Sequence, residues 1–500
     1  MNHDQLTTGA ESSLPRLDRL LASPILWGIS LTLGLAALCR QYFFAHSYWY
    51  DEAFLILTIR ERSYAALVGA QPYNLVIPPV FLWATRALYE LGGDGERILR
   101  LPAFAAAAAA ILLMIPLTRK LVAQPYALWA FAWLAVSRNL VAHGCEVRPY
   151  AFDLLLTEAI LLCTAVLLSP GDTRFTTACA RAGLGALAVF GPWLSFPTAF
   201  VLGGASLALG VQLARQGTRR QWLLWLTFNG LIGLSALGLW WLSGRHMYYQ
   251  GMTEHWGHKG WGGFPDWQSP ANLARWLAWR PCEVGNYGSR ELGIILAALA
   301  LVGAGVVAKR SRSQCVLLLG PFGLAVAAAL LGKYPLAHRT SFFLAPCLWI
   351  LAASGWGAAV AWGRRQGRDL AVIGLLLVAW DLSWLLIRLV HPDAGLDYRG
   401  AYAFVHSHRH AEEAVWSQMA VVHEVYYGKE DPILKDADFS EVERLVSRQR
   451  LWAVLGSNRH DLRQRLEGAG GQVVLAQDFS GVSVLLFNPK KLLAKGANDQ

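Results

Sequence analysis

Charge is scarce in this chain: Lys, Arg, Asp and Glu make up only 16 % of its 500 residues. That is too little to solvate several soluble domains of this combined length. Cysteine is scarce as well. Its seven residues form no CxxC pair and no spacing that suits a zinc site or a disulfide framework. Most lie in or beside apolar runs, where a thiol packs as a small hydrophobe. No basic stripe marks a soluble surface, so the net charge of +10 does not point to nucleic acid. The basic residues stand instead in short clusters between apolar runs. No cleavable leader is expected here: Ile25 to Phe44 is too long for a signal-peptide core and has no small-residue cleavage site after it.

What the chain has is apolar length. Hydrophobic residues reach 55 % and the mean hydropathy is +0.34, values of a polytopic membrane protein with a soluble part. The run Ile25 to Phe44 predicts a first span, with Arg16 and Arg19 holding the N-terminus in the cytoplasm. Further spans are predicted at 101–117, 126–136, 150–168, two within 183–214, and at 222–242, 292–308, 316–331, 342–362 and 370–390. The total is about eleven at roughly 20 residues per span. Almost every basic cluster then falls on one side, which places residues 45–100 and 243–290 outside as loops. The expected fold is an all-α polytopic membrane domain over 1–390 and a small extracytoplasmic α/β domain over 391–500. In the latter, Leu451–Leu455, Gln472–Ala476 and Val482–Phe487 read as strands, with helices at 441–446 and 461–466. It has no Gly-rich phosphate loop and no triad spacing.

Three polar stretches on the expected outer face carry candidate chemistry. SYWYDEA at 47–53 places Asp51 and Glu52 just beyond the first span, as acid–base groups or as a solvated helix start. VAHGCEVRPYAFD at 141–153 holds Glu146, Arg148 and Tyr150, with Pro149 opening a helix. An arginine at a helix start can bind an anion or simply snorkel to the interface. KYPLAHRTS at 333–341 adds Lys333, His338 and Arg339. Basic loops outside run against the usual bias, which favours an anionic ligand. His246, His255, His258 and Asp266 offer divalent-metal ligands in the middle loop, but their spacing fits no helix-based motif. No cofactor is otherwise expected. Cys145 and Cys282 both fall outside, where a disulfide is chemically allowed. Together these stretches suit a substrate with a phosphate at the surface and a lipid tail in the bilayer.

In order and spacing the motifs resemble the GT-C class of membrane glycosyltransferases. The resemblance is to the bacterial branch related to dolichyl-phosphate-mannose protein mannosyltransferases and to the aminoarabinose transferase of lipid A. It rests on WYDEA at 49–53 with Pro78-Pro79, GERILRLPA at 95–103, EVRPYAF at 146–152, and more weakly WLSFPTAF at 193–200 and YPLAHRTSFFLAP at 334–346. The chain departs from the pattern at Ile77, where relatives often carry a polar residue. The resemblance implies a polyprenyl-phosphate sugar donor, an envelope glycan, lipid or protein as acceptor, and inversion on the extracytoplasmic face of the plasma membrane. It implies Asp51 as base with Glu52 in support, and Arg148 and Arg339 as phosphate ligands. Glu96 and Arg100 are then either an ion pair or ligands. A transporter or flippase of a lipid-linked sugar is the alternative, though no inverted repeat is visible.

Overall fold

The computed structural model describes residues 16–169, 171–247, 251–257, 260–431, 433–434, 438–456 and 459–490. Two compact units result. The first takes Met1–Phe43, Tyr64–Ala87 and Arg100–His391, and the second takes Phe44–Ser63, Leu88–Leu99 and Pro392–Gln500. In chain order the helices are α1 (Pro24–Phe44), α2 (Tyr50–Glu61), α3 (Pro79–Gly92), α4 (Glu96–Leu121), α5 (Ala127–Ala135) and α6 (Arg138–His143). Next come α7 (Tyr150–Leu168), α8 (Arg174–Leu194), α9 (Thr198–Gln216), α10 (Arg219–Leu242) and α11 (Pro270–Ser289). The long helices end with α12 (Gly293–Arg310), α13 (Arg312–Leu330), α14 (Ala345–Arg365) and α15 (Ala371–Val390).

Among the described residues, nine helices are long and apolar enough to cross a membrane: α1, α4, α7, α9, α10, α12, α13, α14 and α15. They match nine of the about eleven expected spans. The third expected span is α5, whose nine residues are too short to cross alone. The helix breaks at Val136 and resumes as α6. Both pieces pack against α15, and Val136 and Val141 share one cluster with its Leu385. The fifth expected span, α8, has 21 residues, but Arg174, Arg181 and Pro192 dilute its apolar character.

Faces turned away from the bundle are apolar. On α10, Leu223, Leu226, Leu234, Leu237, Trp240 and Trp241 are exposed, a pattern that suits hydrocarbon rather than water. Inside the bundle, Phe131, Trp133, Phe342 and Trp349 belong to one buried core. Helices α12 and α14 approach backbone to backbone. A Cβ on Gly303 would lie 1.8 Å from the Leu351 carbonyl oxygen, and one on Gly355 would lie 1.9 Å from that of Leu299. Only glycine fits there, as is common where membrane helices cross closely.

The basic residues gather at one end of this unit. Arg364 makes paired hydrogen bonds to Asp18 at 2.5 and 2.7 Å, Lys120 pairs with Asp172, and Arg119 lies 4.5 Å over the Trp27 ring. Because α7 ends near Asp172 and α14 ends at Arg364, the starts of both helices lie at the other end.

The second unit holds a four-stranded sheet in the order β1-β2-β4-β3, built from β1 (Ala414–Ser417), β2 (Leu451–Leu455), β3 (Gly471–Phe479) and β4 (Val482–Pro489). Strands β1 and β2 are parallel and the other pairs antiparallel, with Leu451 opposite Phe487 and Ala453 opposite Leu485. Helices α16 (Tyr398–His408), α17 (Ala420–Tyr427), α18 (Phe439–Val446) and α19 (Arg459–Gly468) complete it. Val442, Val446, Leu451, Leu466 and Phe487 form its core. The stretch around α2 belongs to this unit and packs on α17. The Tyr48 backbone N–H donates to the Tyr426 hydroxyl at 2.9 Å, and that hydroxyl donates to Glu96 at 2.9 Å. Glu96 also pairs with Arg399 at 2.7 Å. Arg60 reaches Asp94 at 2.5 Å and the Val425 carbonyl at 2.9 Å.

Candidate active site

In the first unit, α6 ends at His143 and a tight turn leads through Gly144 to Glu146. A Cβ on Gly144 would meet Leu38 at 2.6 Å and Ala107 at 2.7 Å, so the turn needs glycine to seat itself against α1 and α4. The Arg148 N–H then bonds the Glu146 carbonyl at 2.8 Å, and Pro149 caps α7, making Tyr150 its first residue. The sequence reading placed Pro149 one position later, as the first helical residue.

This turn makes His143 the hub of a buried network. Its Nδ1 lies 3.1 Å from Glu146 Oε2 and its Nε2 lies 2.8 Å from the Tyr287 hydroxyl. Burial pushes the Tyr287 phenol well above its usual range, and Glu146 and Tyr150 push the same way against Arg339 and Arg138. The phenol therefore keeps its proton, and its hydroxyl shares a hydrogen bond with Nε2. The Tyr150 ring stands 4.8 Å from the imidazole, and the Arg339 guanidinium lies 5.8 Å over the same tyrosine.

Arg339 is presented by a rigid loop. Arg280 on α11 pairs with Glu283 at 2.5 Å and donates to the Leu336 carbonyl at 2.6 Å. Glu283 accepts the His338 backbone N–H at 3.0 Å. Burial pushes the Glu283 carboxyl up, against the pull of Arg280 and of that N–H. Thr340 Oγ1 closes the loop onto the Pro335 and Ala337 carbonyls at 2.6 and 2.7 Å. These bonds hold His338 at φ +48°, a left-handed conformation that a non-glycine residue adopts only when its surroundings impose it.

Of the expected site residues, Glu146, Tyr150, His338 and Arg339 thus come together around His143 and Tyr287. Arg148 lies buried between Glu146 and Tyr150 in the chain, Arg100 is buried on the first turn of α4, and Lys333 is exposed at the start of its loop. Asp51 and Glu52 belong to the second unit, where both are buried on the first turn of α2. Glu52 accepts the Trp49 backbone N–H at 3.3 Å, which stabilises the helix start. Glu96 is an ion-pair partner within that unit.

Sequence reasoning missed His143, Arg280, Glu283 and Tyr287. The last three lie on α11, inside what reads as an irregular loop. The available signal was spacing: Arg280 and Glu283 are three apart and Glu283 and Tyr287 four apart, one face of a helix. Among the histidines expected near metal, His258 lies outside the described residues. The metal-like grouping among the described residues is a different one, His406, His423 and Asp431. All seven cysteines are free, Cys145 and Cys282 included.

A bundle of apolar helices, a charged aromatic cluster at one set of helix ends and a small α/β unit define the GT-C fold. Solved structures carry the comparison to a particular protein. ArnT from Cupriavidus metallidurans in the apo state aligns with a TM-score of 0.53 at 14 % identity, covering 94 % of this chain and 98 % of that chain. The same protein bound to undecaprenyl phosphate aligns at 0.52 and 14 % identity, over 92 % of this chain and 97 % of that one. This chain is similar to both in fold. No protein-family model matches it, and no curated protein matches it either.

Proposed function

We propose that this chain is an integral membrane glycosyltransferase. It moves a sugar from a polyprenyl-phosphate donor to an envelope acceptor on the extracytoplasmic face of the plasma membrane. The observation that carries the reading is Arg339, held by a locked loop beside Tyr150 and the Glu146–His143–Tyr287 network. This cluster lies at the end of α7 and α14 opposite the basic residues. A cation fixed in this way suits a phosphate that gains charge as it leaves. The undecaprenyl phosphate bound by ArnT is the class of carrier we assign to the donor.

In this reading an acceptor hydroxyl or amine attacks the anomeric carbon as the carbon–phosphate oxygen bond breaks. Asp51 takes the acceptor proton, Glu52 supports it, and the lipid phosphate departs with the electron pair onto Arg148 and Arg339. One displacement inverts the anomeric centre. The phosphate is a competent leaving group, so a general acid is not needed.

The test is transfer of radiolabelled sugar from a polyprenyl-phosphate sugar to total envelope material by the purified chain in vesicles. Arg148→Ala and Arg339→Ala should each weaken use of the donor by about 10-fold or more, as expected for a lost charge-assisted contact worth about 1.5–3 kcal/mol. Movement of unmodified lipid-linked sugar across the vesicle without transfer would favour a flippase. Normal donor use in both variants would remove phosphate binding from this reading.

A further inference from the structure

In the second unit, three side chains converge with no part in the reading above. His406 on α16, His423 on α17 and Asp431 just beyond α17 bring one ligand atom each to a common point. The two Nε2 atoms are 3.2 Å apart, and they lie 2.9 and 3.0 Å from Asp431 Oδ2. His423 is buried at 1 % exposure and Asp431 largely so. The other carboxylate oxygen, Oδ1, is taken by Arg409 at 2.5 Å, which turns Oδ2 towards the rings. Tyr427 stacks on His406 with ring centroids 3.8 Å apart and fixes that ring.

This triangle cannot be satisfied by protons. Arg409 pairs with the other carboxylate oxygen, so Asp431 is a carboxylate that accepts only. If both Nε2 atoms carry hydrogen, two donors face each other at 3.2 Å. If one does not, its lone pair faces a carboxylate oxygen at about 3 Å. Every assignment leaves one edge of like against like. A cation in the centre makes all three contacts attractive.

The distances fit one cation class. Donors separated by 2.9, 3.0 and 3.2 Å lie on a circle of about 1.8 Å radius. An ion about 2.05 Å from each would therefore sit about 1 Å out of their plane, leaving its far side open for a fourth ligand. Two imidazoles with one carboxylate oxygen suit zinc or a neighbouring first-row divalent ion better than calcium or magnesium, which prefer oxygen alone.

We propose that His406, His423 and Asp431 form a zinc site in the α/β unit. The site joins α16 to α17 and to the chain that follows. Arg409 acts from the second shell by orienting the carboxylate. The backbone carbonyls of α17 at Glu424 and Val425 receive Arg60 from the α2 stretch, so an ion on α17 stiffens the helix against which α2 rests.

The test uses the full chain in detergent, stripped with a chelator and dialysed against Zn²⁺ alone. Wild type should retain one equivalent more by elemental analysis than His406→Ala or Asp431→Asn, and Zn²⁺ should raise its unfolding temperature but not theirs. Co²⁺ in His406→Cys should restore binding and add a thiolate-to-cobalt charge-transfer band, which a misfolded variant would not give. Equal zinc content in wild type and both variants, or a cobalt-loaded His406→Cys without that band, would overturn the site.

Discussion

Glu52 is committed to the start of its own helix: it accepts the Trp49 N–H and is fully buried. Asp51, one residue earlier, projects about 100° away around α2 and shares the positive end of the helix dipole. Asp51→Asn keeps shape and volume but loses basicity, so turnover should fall by about 10²–10⁴-fold with folding retained. Glu52→Gln keeps an acceptor for Trp49 and should cost far less turnover. Glu52→Ala should lower stability by about 1 kcal/mol through the lost cap. Initial rates with labelled donor and thermal unfolding of the three variants separate these roles. A fully active Asp51→Asn beside a dead Glu52→Gln would reverse them.

At the scale of elements, Tyr287 joins α11 to the α6–α7 turn through His143. Tyr287→Phe removes the hydroxyl bonded to His143 Nε2 and leaves a largely buried ring nitrogen short of a hydrogen bond, at a cost of about 1–3 kcal/mol. Thermal unfolding should shift down, and KM for the donor should rise because Tyr150 packs on the freed imidazole. Unchanged unfolding and KM would show that the network positions nothing. Legibility in the sequence followed periodicity here. Strands β2 to β4 alternate or run apolar for five residues or more and were readable, whereas the four-residue β1 was not. The expected span at 126–136 takes in α5 alone, because Ser137, Arg138 and Asn139 end its apolar run where α6 begins. The stretch that forms α11 looks irregular because Arg275, Arg280 and Glu283 break its apolar face, and the last two of these are what the site uses. Glu146, Tyr150 and Arg339 were visible because charged groups at the ends of apolar runs are conspicuous. His143 was not, since its partner Tyr287 comes from a helix more than a hundred residues away.

For the molecule as a whole, the basic rim turns a sequence bias into geometry. Asp18–Arg364, Lys120–Asp172 and Arg119 over Trp27 bind the ends of four segments into one face of the first unit. Arg364 also reaches Asp369 at 3.4 Å, so α15 starts from that face. Its 20 residues rise about 30 Å, enough to cross the hydrocarbon core, and the chain leaves it at Val390 on the other side. Basic residues favour the cytoplasmic side of bilayers, so the orientation we propose has the rim inside and the starts of α7 and α14 outside. Fusing a reporter that is active only in the cytoplasm after Gln500 should therefore give a silent protein. The same reporter inserted between Arg215 and Arg219, in the connection from α9 to α10, should be active. The paired insertions guard against a chain that never reaches the membrane, because that failure would light both. A bright C-terminal fusion beside a silent 215–219 insertion would invert the protein and place the Arg339 cluster in the cytoplasm, where an extracytoplasmic transfer reaction has no substrate.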